Sequence, residues 1–226
     1  MIKENIYYSK NVLDAARFRD LKDFCTTHCG EIPTYNFCRR QQESSNFIEE
    51  IIRHLIGRDH HVEYWVRDQI DSTLFHVDAN ELQSKIDTAK YGKEDPEMVV
   101  QFPLNTHILY VNIDEKMEGG ELLLLPTEEY IIGRPILDEK YRVREGSEML
   151  VVEPRENHMV LFDKPIYHAI TKVRNKSAKR RISLMFSSWG YVPDIYKDHE
   201  HWGNYYIGDV NPTKWKIPES EELELK

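Results

Sequence analysis

The chain has 226 residues, 40% of them hydrophobic, and a formal net charge of −9 at pH 7. This length favours one domain with a substantial core. The acidity argues against a nucleic-acid partner, which would require a basic face. No segment is typical of a signal peptide or membrane span, so we predict a soluble, cytoplasmic protein with no membrane partner. The sequence leaves the oligomeric state open.

Three cysteines, Cys25, Cys29 and Cys38, lie close together near the N-terminus. An odd number does not suggest a secreted disulfide framework. Zinc ligation by these cysteines together with His28 is left open as an alternative. We favour reduced thiols on the buried face of an early helix.

Two helices are predicted in the first sixty residues. Residues 11–28 and 47–56 carry apolar side chains at helical spacing. The candidate N-caps are Ser9 or Asn11 for the first helix and Asn46, in a capping box with Glu49, for the second.

From residue 62 onward the apolar pattern changes to short runs with β character. The predicted strands are Val62–Val66, Leu74–Val77, Thr106–Asn112, Glu121–Leu125, Met149–Val152, Met159–Phe162, Ala169–Val173 and Ile182–Phe186. This order predicts a mainly β (α+β) fold, a β-sandwich or jelly roll with the N-terminal helices packed on one sheet. Two longer connections, 79–105 (with a helix over 81–89) and 126–148, are candidate active-site lids.

Three residues form a candidate metal site. His76 and Asp78 lie two apart in an apolar run, and on a strand they point the same way. His168, from a distant strand, would complete a 2-His-1-carboxylate face, which suits non-haem iron(II) and leaves coordination positions open. A rival pair, His61 and Glu63, has the same spacing.

The run Arg181-Ile182-Ser183 indicates an anion site. If odd positions face inward, Arg181 and Ser183 point together into the barrel, where a guanidinium needs an anionic partner. The distal carboxylate of a dicarboxylate would provide one. The neighbouring Arg180 is interpreted as part of a solvated basic turn.

These elements together resemble the prolyl-hydroxylase-like branch of the 2-oxoglutarate/iron(II) dioxygenases. The resemblance covers roughly residues 60–190. It rests on the ordered elements His76-x-Asp78, Leu109-Tyr110-Val111-Asn112, Glu118-Gly119-Gly120-Glu121-Leu122, Leu161-Phe162, His168 and Arg181-x-Ser183.

The resemblance implies a double-stranded β-helix with Fe(2+), 2-oxoglutarate and O2 as cofactors. His76, Asp78 and His168 would bind the metal, and Arg181, Tyr110 and Ser183 the co-substrate. Hydroxylation of an unactivated carbon is expected, since related halogenases lack the carboxylate ligand. The substrate would be a small molecule, an amino acid or a peptide side chain.

The same resemblance implies a single dioxygenase domain over 1–226. Within it we expect a helical N-terminal support (1–60), a jelly-roll core (61–190) and a C-terminal extension (191–226). The alternative from another class is a non-catalytic jelly-roll ligand-binding or interaction protein. A cupin-type metalloenzyme would use the spacing of His199 and His201 instead. An oxygenase of nucleic-acid bases is disfavoured by the net charge.

Overall fold

The computed structural model describes residues 5–32, 36–73, 76–79, 102–125, 149–163, 165–174, 180–193 and 196. Several predicted features lie outside these residues. They are the helix over 81–89, the 126–148 connection, the His199 and His201 pair, and most of the C-terminal extension. Among the described residues, no helix has the length and apolarity that a membrane crossing requires.

The second helix has the predicted bounds. Helix α2 spans Phe47–Ile56, and the Asn46 side chain caps it by accepting from the Glu49 amide. The Glu49 carboxylate accepts from the amide of Ser45, one residue before the expected capping-box position. Gly57 follows at φ 75°, a left-handed conformation suited to glycine.

The first helix begins later than predicted. Helix α1 spans Ala15–His28, and its N-cap is Asp14, so the prediction of Ser9 or Asn11 as cap is wrong. A long-range hydrogen bond holds the backbone before the helix, because the Leu13 amide donates to the Asn157 side chain at 3.0 Å. Asn11 itself adopts a left-handed φ of 51°, whereas an N-cap residue typically has an extended backbone.

The described residues contain nine strands, which form two antiparallel sheets. The strands are β1 Ile6–Lys10, β2 Asn36–Cys38, β3 His61–Asp68, β4 Asn105–Asn112, β5 Leu122–Leu125, β6 Leu150–Val152, β7 His158–Phe162, β8 Tyr167–Ile170 and β9 Ile182–Trp189. The larger sheet has the order β1-β7-β4-β9-β3-β2, and the smaller has the order β6-β5-β8. The mainly β architecture with two helices is therefore confirmed.

Two strands were not predicted, and the predicted strands that form differ from their expected bounds by one to three residues. Strands β1 and β2 occupy the region expected to be helical support. Strand β8 begins at Tyr167, two residues before the predicted start, so it includes His168. Of the predicted strand 74–77, the described residue His76 forms an isolated bridge with His168.

Two apolar clusters divide the interior. One packs α1 and α2 against the larger sheet and includes Leu109, Leu184 and Phe186. The other fills the space between the sheets and includes Ile108, Tyr110 and Met185. Strand alternation explains the division, because successive residues of β4 and β9 face opposite sides. The helices therefore cover the outer face, and the inner face is left for a site.

Candidate metal centre

The three predicted ligands lie close together where His76 bridges to strand β8. His76 and His168 exchange both backbone hydrogen bonds, at 3.0 and 2.9 Å, and their ring centroids lie 4.3 Å apart. Asp78 follows two residues later, and its Oδ1 lies 3.9 Å from His168 Nε2. One ligand atom from each residue lies within 4.8 Å of the others. This is the donor set and spacing that a divalent transition metal requires.

Neighbouring groups orient two of these side chains. His168 Nδ1 lies 3.0 Å from the carbonyl oxygen of Ile166. Donation there requires the proton on Nδ1, which leaves the Nε2 lone pair facing Asp78. The Thr106 hydroxyl donates to Asp78 Oδ2 at 3.1 Å and lies 3.3 Å from the hydroxyl of Ser187. The site thus has the supporting contacts typical of metal centres.

The environment keeps His168 neutral. Burial lowers the pKa of this imidazole, and the Asp78 carboxylate opposes that shift only in part. A neutral imidazole is the form that binds metals.

The inner face of the larger sheet carries three rows of side chains across β4, β9 and β3. Their registers pair residues of the three strands directly. The rows are Thr106–Ser187–Glu63, Ile108–Met185–Trp65 and Tyr110–Ser183–Arg67. The face is therefore polar beside Asp78, apolar in the middle, and polar again at the far row.

A cavity of about 320 Å³ lies over this face and reaches the metal centre. The residues that line it include His76, Asp78 and His168 of the metal centre and the apolar side chains of Ile108 and Met185. The volume is in the range of small-molecule sites.

The predicted anion-binding residues lie at the far row, beyond Ile108 and Met185 and not on the cavity wall. Arg181 is 1% exposed and donates to the Gly120 carbonyl at 3.0 Å and the Ser183 hydroxyl at 3.2 Å. Its guanidinium carbon lies 5.6 Å from the Tyr110 ring centroid. Arg181 Nη2 and Tyr110 Oη are buried with no hydrogen-bond partner among the described residues. Two such donors together are unusual unless a ligand satisfies them.

Burial shifts the pKa values of both Tyr110 and Arg181. It raises the pKa of Tyr110, so the phenol stays protonated and can donate. It lowers the pKa of Arg181, because the charged guanidinium loses its hydration, and Tyr110 and the Glu121 carboxylate oppose this shift only in part.

The structure separates the two adjacent arginines as the strand alternation predicts. Arg181 faces inward with Ser183, whereas the Arg180 side chain is 57% exposed and pairs with Asp68 at 3.1 Å. The predicted alternation, with Arg181 facing inward and Arg180 outward just before β9, is therefore confirmed.

Gly119 and Gly120 allow the chain to pass close to Arg181. Both have left-handed φ angles, 86° and 74°. A Cβ on Gly120 would lie 3.0 Å from Arg181 Cδ, and one on Gly119 would overlap the Lys172 carbonyl at 2.1 Å. Only glycine fits both positions without a shift.

The rival pair, His61 and Glu63, does not converge on a third ligand among the described residues. His61 Nδ1 accepts from the Arg40 amide at 3.3 Å, and the Tyr196 hydroxyl donates to Glu63 at 2.5 Å.

The three cysteines are buried and free, as expected for reduced thiols, although Cys38 lies on β2 and not on a helix. Within the described ranges, the one group of three side chains suited to a metal is His76, Asp78 and His168.

Sequence reasoning missed Thr106. It lies on the same face of β4 as Tyr110, four residues away, so strand alternation from Tyr110 could have found it.

Comparison with known proteins finds solved structures that are similar to this chain. No family model matches the chain, and no curated protein sequence matches it. A prolyl-4-hydroxylase from Pseudomonas putida superposes with a TM-score of 0.48 at 12% identity, over 83% of this chain and 94% of that one. HygX from Streptomyces hygroscopicus, with nickel and 2-oxoglutarate bound, gives 0.46 at 9%, over 83% and 84%. A Trichoplax adhaerens prolyl hydroxylase, in complex with a hypoxia inducible factor peptide fragment, gives 0.45 at 11%, over 82% and 83%. The solved structures to which the chain is similar thus include prolyl hydroxylases, which its motifs resemble.

Proposed function

We propose that this chain is an iron(II)/2-oxoglutarate-dependent dioxygenase that hydroxylates an unactivated carbon. The observation that carries the proposal is the grouping of His76, Asp78 and His168 within 4.8 Å. The two sheets would form the jelly roll, or double-stranded β-helix, of a single domain over 1–226, with its core over 61–190.

The residues present fit the proposed cofactors. Two imidazoles and one carboxylate suit iron(II) and leave coordination positions for a co-substrate and oxygen. The buried donors Arg181 Nη2 and Tyr110 Oη suit the distal carboxylate of 2-oxoglutarate. Between these two ends, Ile108 and Met185 offer an apolar surface for the methylene groups of a dicarboxylate.

Each residue then has a definite part. The bound iron, 2-oxoglutarate and oxygen would supply the oxidising chemistry, with succinate and CO2 as co-products. His76, Asp78 and His168 hold the metal, and Thr106 fixes the Asp78 carboxylate. Arg181 neutralises the distal carboxylate, with the Ser183 hydroxyl beside it.

Metal binding tests the proposal directly. Mn²⁺, as a redox-inert substitute, should bind the purified chain at one site in a calorimetric titration. His76→Ala, Asp78→Ala and His168→Ala should each abolish that binding, whereas the matched variant His61→Ala should keep it. Loss of binding in His61→Ala with retention in His76→Ala contradicts the assignment.

Turnover provides the second test. With iron(II) and oxygen, the chain should convert 2-oxoglutarate to succinate, and a substrate should raise the rate above the uncoupled background. A chain that binds Mn²⁺ but neither binds nor consumes 2-oxoglutarate would instead fit the non-catalytic binding protein.

A further inference from the structure

The cavity has a third wall that the metal centre and the predicted co-substrate site do not use. Glu63, Trp65 and Arg67 point from β3 into the cavity, while the alternate residues of β3 pack against the helices. In the sheet registers these three side chains stand beside Ser187, Met185 and Ser183, on the side of β9 away from β4. A substrate bound here would lie alongside a co-substrate that follows β4.

The two ends of this wall have opposite charge. Glu63 is half-buried at the end nearest the metal, and the Tyr196 hydroxyl fixes one of its carboxylate oxygens at 2.5 Å. Arg67 is exposed at the other end, two rows away. A cationic group on a substrate is therefore attracted to the Glu63 end and repelled from the Arg67 end.

Two tryptophans stand next to Glu63 along the strands that line the cavity. Trp65 is the next inward residue of β3, and Trp189 lies on β9 two residues beyond Ser187, on the same face. Both indoles line the cavity. An indole face beside a carboxylate suits an ammonium or guanidinium group. The buried Trp189 Nε1 has no partner among the described residues, so a carbonyl or hydroxyl on the same substrate can accept from it.

We propose that Glu63, Trp65 and Trp189 form a subsite for a substrate bearing an ammonium or guanidinium group. The inference rests on the proposed function, because it makes this cavity the substrate site. Thr106, which contacts Asp78, and Glu63 flank Ser187 in one row, so their backbones are on the order of 10 Å apart. The oxidised carbon therefore lies several bonds from the cation.

Two probes that differ only in the cation test the subsite. Nα-acetyl-L-lysine amide carries one ammonium group, and Nα-acetyl-L-norleucine amide has the same backbone and side-chain carbons without it. Saturation-transfer NMR titration of the full, metal-free chain should give the lysine probe roughly 10- to 100-fold higher affinity, as expected for a charge-assisted hydrogen bond. The isosteric variant Glu63→Gln should abolish this difference.

A control variant and a distance measurement by paramagnetic broadening make the test more specific. Glu153→Gln, at an exposed carboxylate paired with Arg155, should preserve the preference for lysine. With Mn²⁺ bound, paramagnetic broadening should be stronger on the probe's β and γ protons than on the ε protons beside the ammonium.

The outcomes separate this inference from the proposed function. Equal affinity for both probes, binding of neither, or strongest broadening at the ε protons overturns the cation subsite. Failure of Mn²⁺ to bind overturns the dioxygenase proposal, while the probe preference in the metal-free chain is still measured.

Discussion

Replacing Arg181 with Met should weaken 2-oxoglutarate binding strongly while changing the free energy of unfolding of the unliganded chain little. The side chain is 1% exposed, and its chain partners are one carbonyl and one hydroxyl. A buried guanidinium with these partners alone carries a desolvation cost that a bound carboxylate would offset. The variant removes the partner of that carboxylate while keeping an apolar stem of similar shape.

The expected loss of affinity is large. Truncating one partner of a buried, hydrogen-bonded charge pair costs roughly 2–5 kcal/mol. This corresponds to a roughly 30- to 5,000-fold higher dissociation constant for 2-oxoglutarate. The unliganded chain should change little, on the order of 1 kcal/mol in the free energy of unfolding. Relief of the buried charge opposes the loss of two hydrogen bonds.

The assay combines calorimetry with thermal unfolding. Titration of 2-oxoglutarate into the Mn²⁺-loaded chain gives the dissociation constant. Thermal unfolding with and without 2-oxoglutarate gives the stabilisation by ligand, about 2.7 kcal/mol at 100 times the dissociation constant. Arg180→Met is the matched control, because Arg180 is 57% exposed and its surface ion pair contributes at most about 1 kcal/mol.

Two results would refute this reasoning. If Arg180→Met weakens 2-oxoglutarate binding and Arg181→Met does not, the assignment of the anion site to the inward phase is wrong. If Arg181→Met destabilises the unliganded chain by several kcal/mol, Arg181 serves the fold and not a ligand.

Two further predictions concern Thr106 and His107. Thr106→Val removes the hydroxyl that donates to Asp78 and should lower Mn²⁺ affinity roughly 10- to 100-fold in calorimetry, while Thr106→Ser keeps it. Burial lowers the pKa of His107 from 6.5 to about 4, so the unfolded chain binds a proton between those pH values and the folded chain does not. The free energy of unfolding should therefore fall as pH falls from 6.5 to 4. Urea denaturation of His107→Gln should show a weaker fall, and an identical pH dependence would contradict the assignment.

The site was easier to predict than the N-terminal strands. His76 and Asp78 could be paired because i and i+2 spacing fixes a common side within a strand. The inward phase of Arg181 followed from the same alternation. Neither of these inferences required knowledge of which strands are neighbours, whereas His168 was added because it would complete the ligand set and because the family resemblance implies it.

The strands that were missed depend on distant partners. Strand β2 has three residues and pairs with β3, and β1 pairs with β7, about 150 residues later in the chain. Such short segments carry little local signal, since their stability comes from the neighbouring strand. The cap of α1 was misplaced for a similar reason, because the Asn157 side chain holds the preceding backbone.

The bridge between His76 and His168 has a consequence for how the proposed metal would be retained. The amides of Thr73 and His76 donate to Ile170 and His168 of β8, and neither donor lies in a named strand. Such contacts at the edge of a sheet can break without the rest of the sandwich unfolding. Because one His ligand lies on each side of the bridge, a bound ion would hold His76 against β8. Metal removal should therefore speed amide exchange at Thr73 and His76 before it affects the centre of the larger sheet.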